Sequence, residues 1–124
     1  MAATAGDLEL NPFHITMRRI GRHVRVLDAT GVLSFDTAEE LRSVYHQTVK
    51  SEGGQMNRLL LDLRDIHRFD VTGVTTLLEL SRDAQFRSFR FEIVDNADRP
   101  VYVSTGLNDR LRFLTGRALE VLER

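Results

Sequence analysis

The chain contains no cysteine, and its apolar runs are short. Without cysteine it can form no disulfide and offers no thiolate as a nucleophile or metal ligand. No apolar run approaches the roughly 20 residues of a membrane-spanning helix. The first ten residues also lack the basic start and apolar core of a secretory signal. We therefore expect a soluble protein that is neither exported by a classical signal nor membrane-spanning, and a cytoplasmic location is compatible with the missing cysteine.

A strong net charge of either sign is also missing, since the formal net charge is -1 at pH 7. Binding to nucleic acid or to anionic lipid normally needs a concentrated positive field. The glycines do not fall into the GxxxxGK[ST] or GxGxxG arrangements that cradle phosphates. The sequence thus predicts no nucleic-acid partner, no direct membrane insertion and no nucleotide motif or other cofactor.

The 124 residues are 42% hydrophobic and 28% charged, which suits one globular domain with a modest core. Residues 1–12 are small and polar with little periodicity and end at Pro12, so we expect a flexible leader there. Residues 13–124 are predicted to form the single domain.

The most informative stretch is residues 58–78, RLLLDLRDIHRFDVTGVTTLL. Its nearly continuous leucine run is typical of a strand covered on both faces. Apolar residues then recur at helical spacing after Asp70, whose carboxylate is a plausible N-cap. The stretch predicts a central parallel strand ending at Asp62, a loop over residues 63–69, and a helix that opens at once after Phe69.

The other elements follow from periodicity and capping signals. Strand and helix alternate along the chain, which implies parallel pairing after an initial hairpin. We predict a hairpin over 13–20 and 23–30, a helix capped by Asp36 or Thr37 and ended by residues 51–54, a strand over 89–94, a short helix from Pro100 to Gly106, an edge strand over 110–114 and a last helix over 118–122.

Two motifs at a fixed separation resemble the STAS domain family, the module of anti-sigma factor antagonists. One is Asp70-Val71-Thr72-Gly73-Val74 after the central strand, and the other is the upstream run 29–33 followed by 36–41. The similarity covers roughly residues 13–116. It implies an α/β STAS fold: a mixed sheet of four to five strands with an N-terminal hairpin, packed against about four helices.

The resemblance also implies a function. Family members dock protein partners, so we expect a non-enzymatic regulatory module of the anti-sigma factor antagonist type whose partner is an anti-sigma factor serine kinase. Alternatives are an accessory subunit that binds the ATPase of a lipid transporter, and a scaffold that packs against copies of itself or related chains. The partner surface implied by the family comprises Ser34, Phe35, Asp36, Thr37, Phe69, Asp70, Val71, Thr72, Gly73 and Thr75.

One position departs from the family pattern. In phosphorylated members the acceptor hydroxyl is on the residue directly after the signature Asp, and here that residue is Val71. A valine cannot accept a phosphoryl group, so the switch that would place new charge at a helix start is in doubt. Thr72 carries a hydroxyl one position later and is a minor candidate for phosphorylation, although a contribution to the helix cap is the favoured interpretation.

Catalytic and charged-surface interpretations are weaker. No histidine pair shows the i, i+4 spacing with an acidic partner that zinc hydrolases use. Three carboxylates, Asp62, Asp65 and Asp70, bracket one predicted loop and could in principle hold Mg²⁺. A cap at Asp70 and a solvated Asp65 are favoured instead, so we predict no catalytic residue and no metal.

Two further groups of residues are interpreted from their positions in the sequence. Arg18, Arg19, Arg22 and Arg25 cluster on the hairpin and could contact an acidic partner or a phosphate. A solvated face is favoured because arginine is the chain's main cation. Tyr45 and Phe86 lie on helical stripes, and both are predicted to belong to the core.

Overall fold

The computed structural model describes residues 13–124, so the predicted leader over residues 1–12 lies outside the described residues. We number the strands and helices in chain order. They are β1 (His14–Ile20), β2 (Val24–Leu33), α1 (Phe35–Glu52), β3 (Arg58–Phe69), α2 (Val71–Arg87), β4 (Arg90–Val94), α3 (Pro100–Thr105), a 3₁₀ turn (Leu107–Asp109), β5 (Phe113–Leu114) and α4 (Gly116–Glu123).

The five strands form one mixed sheet in the order β1-β2-β3-β4-β5. The first two strands are an antiparallel hairpin, and every later neighbour pair is parallel. This arrangement confirms the predicted α/β fold, with its N-terminal hairpin and its helices between parallel strands. Its consequence for function is that β2 and β3 end side by side, each followed directly by a helix.

The leucine run of β3 lies at the centre of the molecule. Leu59, Leu61 and Leu63 contribute to a large core that includes residues of α1 and α2. Leu60 points into a smaller cluster with Leu119 of α4. All four leucines are fully buried, which confirms the prediction of a central strand covered on both faces.

The prediction that β3 ends at Asp62 is wrong, because the strand continues to Phe69. Its second half pairs with β2 through two register shifts, and the pairing ends at Leu33 opposite Phe69. Among residues 64–68 only Ile66 is buried. The exposed polar residues around it gave this part of the strand the composition of a loop.

The start of α1 also differs from the prediction. Ser34, in extended conformation, is the N-cap, and the helix begins at Phe35. The Thr37 hydroxyl accepts a hydrogen bond from the Ser34 amide at 2.8 Å and donates one to the Val32 carbonyl at 2.7 Å. Thr37 therefore stabilises the helix start from its first turn, and neither Asp36 nor Thr37 is the cap.

Of the two large side chains predicted from position to lie in the core, one is buried and the other is exposed. Tyr45 is fully buried as predicted, and its hydroxyl donates to the Asp83 carboxylate at 2.7 Å. Phe86, however, is 88% exposed near the end of α2, so its assignment to the core is wrong. Its side chain lies off the stripe of α2 that packs on the sheet, which instead includes Leu77, Leu80 and Ala84.

The arginine cluster on the hairpin is not a uniformly solvated face. Arg25 is fully buried, and its Nε donates to Glu52 at 2.5 Å. Arg19 holds the same carboxylate with two hydrogen bonds, and Arg18 pairs with Asp28. Of these four arginines, only Arg22 is exposed as predicted and forms no ion pair within residues 13–124.

The C-terminal elements follow the prediction with shifted bounds. The edge strand is shorter than predicted, Phe113–Leu114, and the last helix is longer, Gly116–Glu123. Thr115 caps that helix by accepting a hydrogen bond from the Ala118 amide at 3.1 Å.

Candidate functional site

The predicted partner surface lies where β2 and β3 end. Leu33 and Phe69 are paired as the last residues of the two parallel strands. Ser34 then caps α1, and Asp70 caps α2. Two helix N-termini therefore lie side by side at one end of the sheet. Their first amides have no hydrogen-bond partner within their own helix.

Asp70 joins the two helix starts. One carboxylate oxygen accepts a hydrogen bond from the Gly73 amide at 2.9 Å, and the other accepts one from the Phe35 amide at 3.1 Å. The Asp70 amide itself donates to the Leu33 carbonyl at 3.1 Å. The Gly73 amide and then the Phe35 amide lower the pKa of the Asp70 carboxyl below its ordinary value. One acidic residue thus caps its own helix and satisfies an amide of the neighbouring helix.

Gly73 allows the first turn of α2 to approach the end of β2. A Cβ atom at this position would lie 2.4 Å from the Leu33 carbonyl oxygen, closer than any real side chain approaches. The glycine is required by this contact with the neighbouring backbone. The motif Asp70-Val71-Thr72-Gly73 therefore combines a cap with a close approach, which explains its spacing.

Between these contacts, two apolar side chains project from the protein. Phe35 is the first residue of α1 and is 72% exposed, and Val71 is the first residue of α2 and is 74% exposed. The hydrogen bond from the Phe35 amide to Asp70 places the two residues on either side of one carboxylate. We call Phe35, Asp70 and Val71 the helix-start surface.

The other predicted site residues have different positions around this surface. Asp36 and Thr75 are exposed in the first turns of α1 and α2, while Thr72 is partly buried. Thr75 donates its hydroxyl hydrogen bond to the Val71 carbonyl at 2.8 Å. Ser34, Thr37 and Gly73 shape the backbone beneath the surface, as described above. The structure thus brings the predicted residues to one end of the sheet, some as exposed groups and others as supports.

Phe69 is a support as well, and it leads to a residue that the sequence did not reveal. The Arg99 guanidinium lies 5.1 Å from the centre of the Phe69 ring. It also donates to the Ile66 carbonyl at 2.6 Å and lies 3.4 Å from the Asp95 carboxylate. Arg99 therefore fixes the extended end of β3 to the start of α3. No sequence motif marks it, because its partners in β3 are distant in the chain, with Ile66 33 residues away.

The described residues contain no group of three or more histidine, aspartate or glutamate side chains placed to hold a metal ion. Of the carboxylates considered for Mg²⁺, Asp62 forms a bidentate pair with Arg64, at 3.0 and 2.7 Å. Asp70 is bonded to backbone amides instead. Over residues 13–124, no helix combines the length and the apolar character needed to cross a membrane.

Comparisons with known proteins agree with this architecture. A family model described as "Mlab, STAS domain" matches residues 16–109. A search of the curated proteins finds no match.

Solved structures of similar fold come from bacteria and from a mouse transporter. An anti-sigma factor antagonist from Mycobacterium paratuberculosis is 19% identical, with a TM-score of 0.73 over 91% of this chain and 96% of that one. The Bacillus cell fate determinant SpoIIAA in its phosphorylated form is 17% identical, with a TM-score of 0.66 over 90% and 98%. The murine Slc26a9 anion transporter is 13% identical, with a TM-score of 0.69 over 98% of this chain but 24% of the transporter.

Proposed function

The chain belongs to the STAS domain family, and from this membership we propose that it is a non-enzymatic, cytoplasmic protein-binding module of the anti-sigma factor antagonist type. Its partner would dock on the helix-start surface, with the surrounding predicted residues as the rim. The similarity in fold to an anti-sigma factor antagonist supports the type of protein, and the chemistry of the surface supports its mode of action.

The exposure of Phe35 and Val71 is the observation that carries this proposal. Both are more than 70% exposed, and both begin a helix at the same end of the sheet. A few residues near the centre of an interface contribute most of its binding energy, and removing exposed apolar surface from water is a main driving force of association. Both oxygens of the Asp70 carboxylate between them already accept backbone hydrogen bonds. The surface therefore offers apolar contact area with a fixed shape.

Val71 bears directly on regulation. A partner that approaches α2 would contact this side chain, which is 74% exposed at the position of the family's acceptor hydroxyl. Because valine cannot be phosphorylated, we propose that docking here is not switched off by a phosphate at this position. Thr72 remains a candidate acceptor, and intact-mass analysis of protein from the native host would detect its modification.

A second candidate function has its own support. The matching family model is described by the name Mlab, and the fold is shared with part of an anion transporter. Some stand-alone members of the family bind the ATPase of a lipid-transport complex without phosphorylation, which agrees with a valine at position 71. In this alternative, the same helix-start surface would bind a transporter ATPase instead of a serine kinase.

Affinity capture with matched variants would test both candidates. The wild-type protein, Phe35→Ala/Val71→Ala and the control Phe86→Ala would be used to capture proteins from the native host, followed by mass spectrometry. Phe86 is a fair control because it is an aromatic residue at the far end of α2 that is even more exposed than Phe35.

The identity of the captured protein decides between the candidates. A serine-kinase anti-sigma factor captured by the wild type and the control, but lost with the double variant, would support the antagonist type. A transporter ATPase with the same pattern would support the alternative, and related STAS chains would indicate a scaffold. A specific partner captured equally well by the double variant would contradict docking on this surface.

A further inference from the structure

A basic pocket lies at the opposite end of α2 from the helix-start surface. It has a volume of about 450 Å³ and is bounded by the last turns of α2, the start of β4 and the segment before β5. Arg90, Arg110 and Arg112 are among the residues that line it, and none of its lining residues within the described range 13–124 is acidic. Nothing in the proposed docking function uses this pocket.

Arg110 and Arg112 are placed by the core residue between them. Leu111 is buried at 8% exposure, while Arg110 follows the 3₁₀ turn in helical conformation and Arg112 leads into β5. The arginines on both sides of Leu111 line the pocket. The Arg112 carbonyl accepts a hydrogen bond from the Ile93 amide at 2.8 Å, which fixes this segment to β4. Both arginines are therefore held by backbone and core contacts while their side chains stay exposed.

The positive charge of this pocket is not neutralised. Within residues 13–124, no carboxylate lies within ion-pair distance of Arg110 or Arg112. Arg90 shares the Glu92 carboxylate, at 3.3 Å, with Arg58, which binds the same carboxylate at 2.5 Å. A chain with a net charge of -1 thus concentrates unpaired positive charge at one concave place.

Neutral hydrogen-bonding groups complete the lining. Asn57, Ser81, Gln85 and Ser88 surround the arginines, and Phe89 forms part of the wall. Guanidinium groups bind phosphate oxygens through paired hydrogen bonds, and amide and hydroxyl groups can bind the remaining oxygens. The volume lies within the range of small-molecule sites, and it exceeds what a single phosphate would fill.

We propose that this pocket binds a phosphate group carried by a larger molecule, with Arg110 and Arg112 as the principal ligands. The carrier could be a soluble phosphate ester or a phospholipid headgroup, since both present the same anion. In either case the site is separate from the docking surface, so its failure would leave the proposed function unaffected.

The first experiment titrates the full chain with inorganic pyrophosphate and follows backbone amide shifts by NMR. We expect saturable shifts around residues 84–91 and 110–112. The Arg110→Gln/Arg112→Gln variant should bind at least tenfold more weakly. The control Arg117→Gln/Arg124→Gln removes the same charge from exposed arginines of the C-terminal segment and should bind like the wild type.

The second experiment separates the two sources by sedimentation with vesicles of phosphatidylglycerol or of phosphatidylcholine alone. Binding to the anionic vesicles that is lost only in the Arg110→Gln/Arg112→Gln variant would identify a lipid headgroup. Pyrophosphate binding without vesicle binding would identify a soluble phosphate ester. The proposal would be overturned if neither probe binds, or if both double variants weaken binding equally, because the effect would then be one of net charge alone.

Discussion

The two ends of strands β2 and β3 differ in which side chains are buried and which are exposed. Near the start of β2, Arg25 is fully buried and its guanidinium donates to Glu52 and to the carbonyls of Arg22 and Val24. At the other end, Phe35 and Val71 are exposed although both are apolar. A charge lies inside at one end, and apolar groups lie outside at the other.

This difference separates residues that hold the fold from residues available to a partner. The Arg25 and Glu52 pair is fully hydrogen-bonded within the chain, and a buried charge left unpaired is costly. Phe35 and Val71 contribute little to the core, so folding does not require their apolar character. Asp70 and Gly73 lie beneath Phe35 and Val71 at the helix-start end of the sheet. They nevertheless belong with the residues that hold the fold. The comparison therefore predicts graded effects on stability and on binding.

The largest loss of stability should follow removal of the buried cation. Arg25→Met leaves the buried Glu52 carboxylate with Arg19 as its remaining cation, and we expect a loss of about 3 kcal/mol in the free energy of unfolding. Urea denaturation monitored by circular dichroism would measure it. Arg22→Met, at the exposed neighbour, is the matched control and should change stability by less than about 0.5 kcal/mol. Equal losses of stability in the two variants would contradict the claim that the buried Arg25 holds this end of the fold.

Gly73→Ala should have the next largest effect. The new methyl group would lie 2.4 Å from the Leu33 carbonyl oxygen, so α2 or β2 must shift. We expect a loss of about 2 kcal/mol, as in other overpacked sites. Gly54→Ala serves as the control because open space surrounds that position. A Gly73→Ala protein as stable as the wild type in thermal unfolding would contradict the close approach.

Asp70→Ala should cost about 1 to 2 kcal/mol, because the first turn of α2 loses its cap and the Phe35 amide loses its acceptor. Asp36→Ala removes an acid of similar position from α1 without removing a cap. It should cost about 0.5 kcal/mol through the helix dipole alone. Chemical denaturation of both variants would compare them, and a larger effect of Asp36→Ala would argue against the shared cap.

The carboxylates of Glu52 and Asp70 should make the stability of the fold depend on pH in the acidic range. Hydrogen bonds from Arg19 and then Arg25 lower the pKa of Glu52 from 4.5 to about 2, and backbone amides lower that of Asp70 below 3.8. A lowered folded-state pKa gives stability that is complete above the unfolded pKa and is lost as pH falls through the folded value. Urea unfolding between pH 6 and 2 should show this loss below about pH 4.5.

Asp70→Asn should weaken the pH dependence of stability in acid. Without the ionisable group, the part of the acid dependence due to the helix-start surface disappears, and the slope below about pH 4 becomes shallower than in the wild type. The dependence due to Glu52 remains. An unchanged slope would mean that the Asp70 carboxylate is not bonded as described.

The smallest effects on stability should come from Phe35→Ser and Phe86→Ser. Both side chains are exposed, so each change should alter the free energy of unfolding by less than about 0.5 kcal/mol. Only Phe35→Ser should weaken partner binding, by tenfold or more, or about 1.4 kcal/mol. Calorimetric titration with the identified partner would distinguish the two.

How much of this was predictable depends on the distance between interacting residues in the chain. The leucine run of β3 and the Asp70 cap are local patterns, and both predictions are confirmed. The burial of Arg25 depends on Glu52, 27 residues away. No periodicity reports such a pairing, so an arginine on a hairpin was predicted to be solvated.

The candidate site shows the same division. The family resemblance identified the residues, and the local motif identified the cap, but the Asp70 bond to the Phe35 amide spans 35 residues. The polar composition of residues 64–68 concealed the continuation of β3, which depends on pairing with β2. Arg99 was missed because its partners meet only once β3 and α3 are packed.

The most direct test of the central claim is amide hydrogen exchange of the protein with and without its identified partner. If the partner docks on the helix-start surface, it should slow amide exchange over residues 34–38 and 70–75. The exchange rates of amides near Arg25 should stay unchanged. Slowed exchange elsewhere, with residues 34–38 and 70–75 unaffected, would contradict the account.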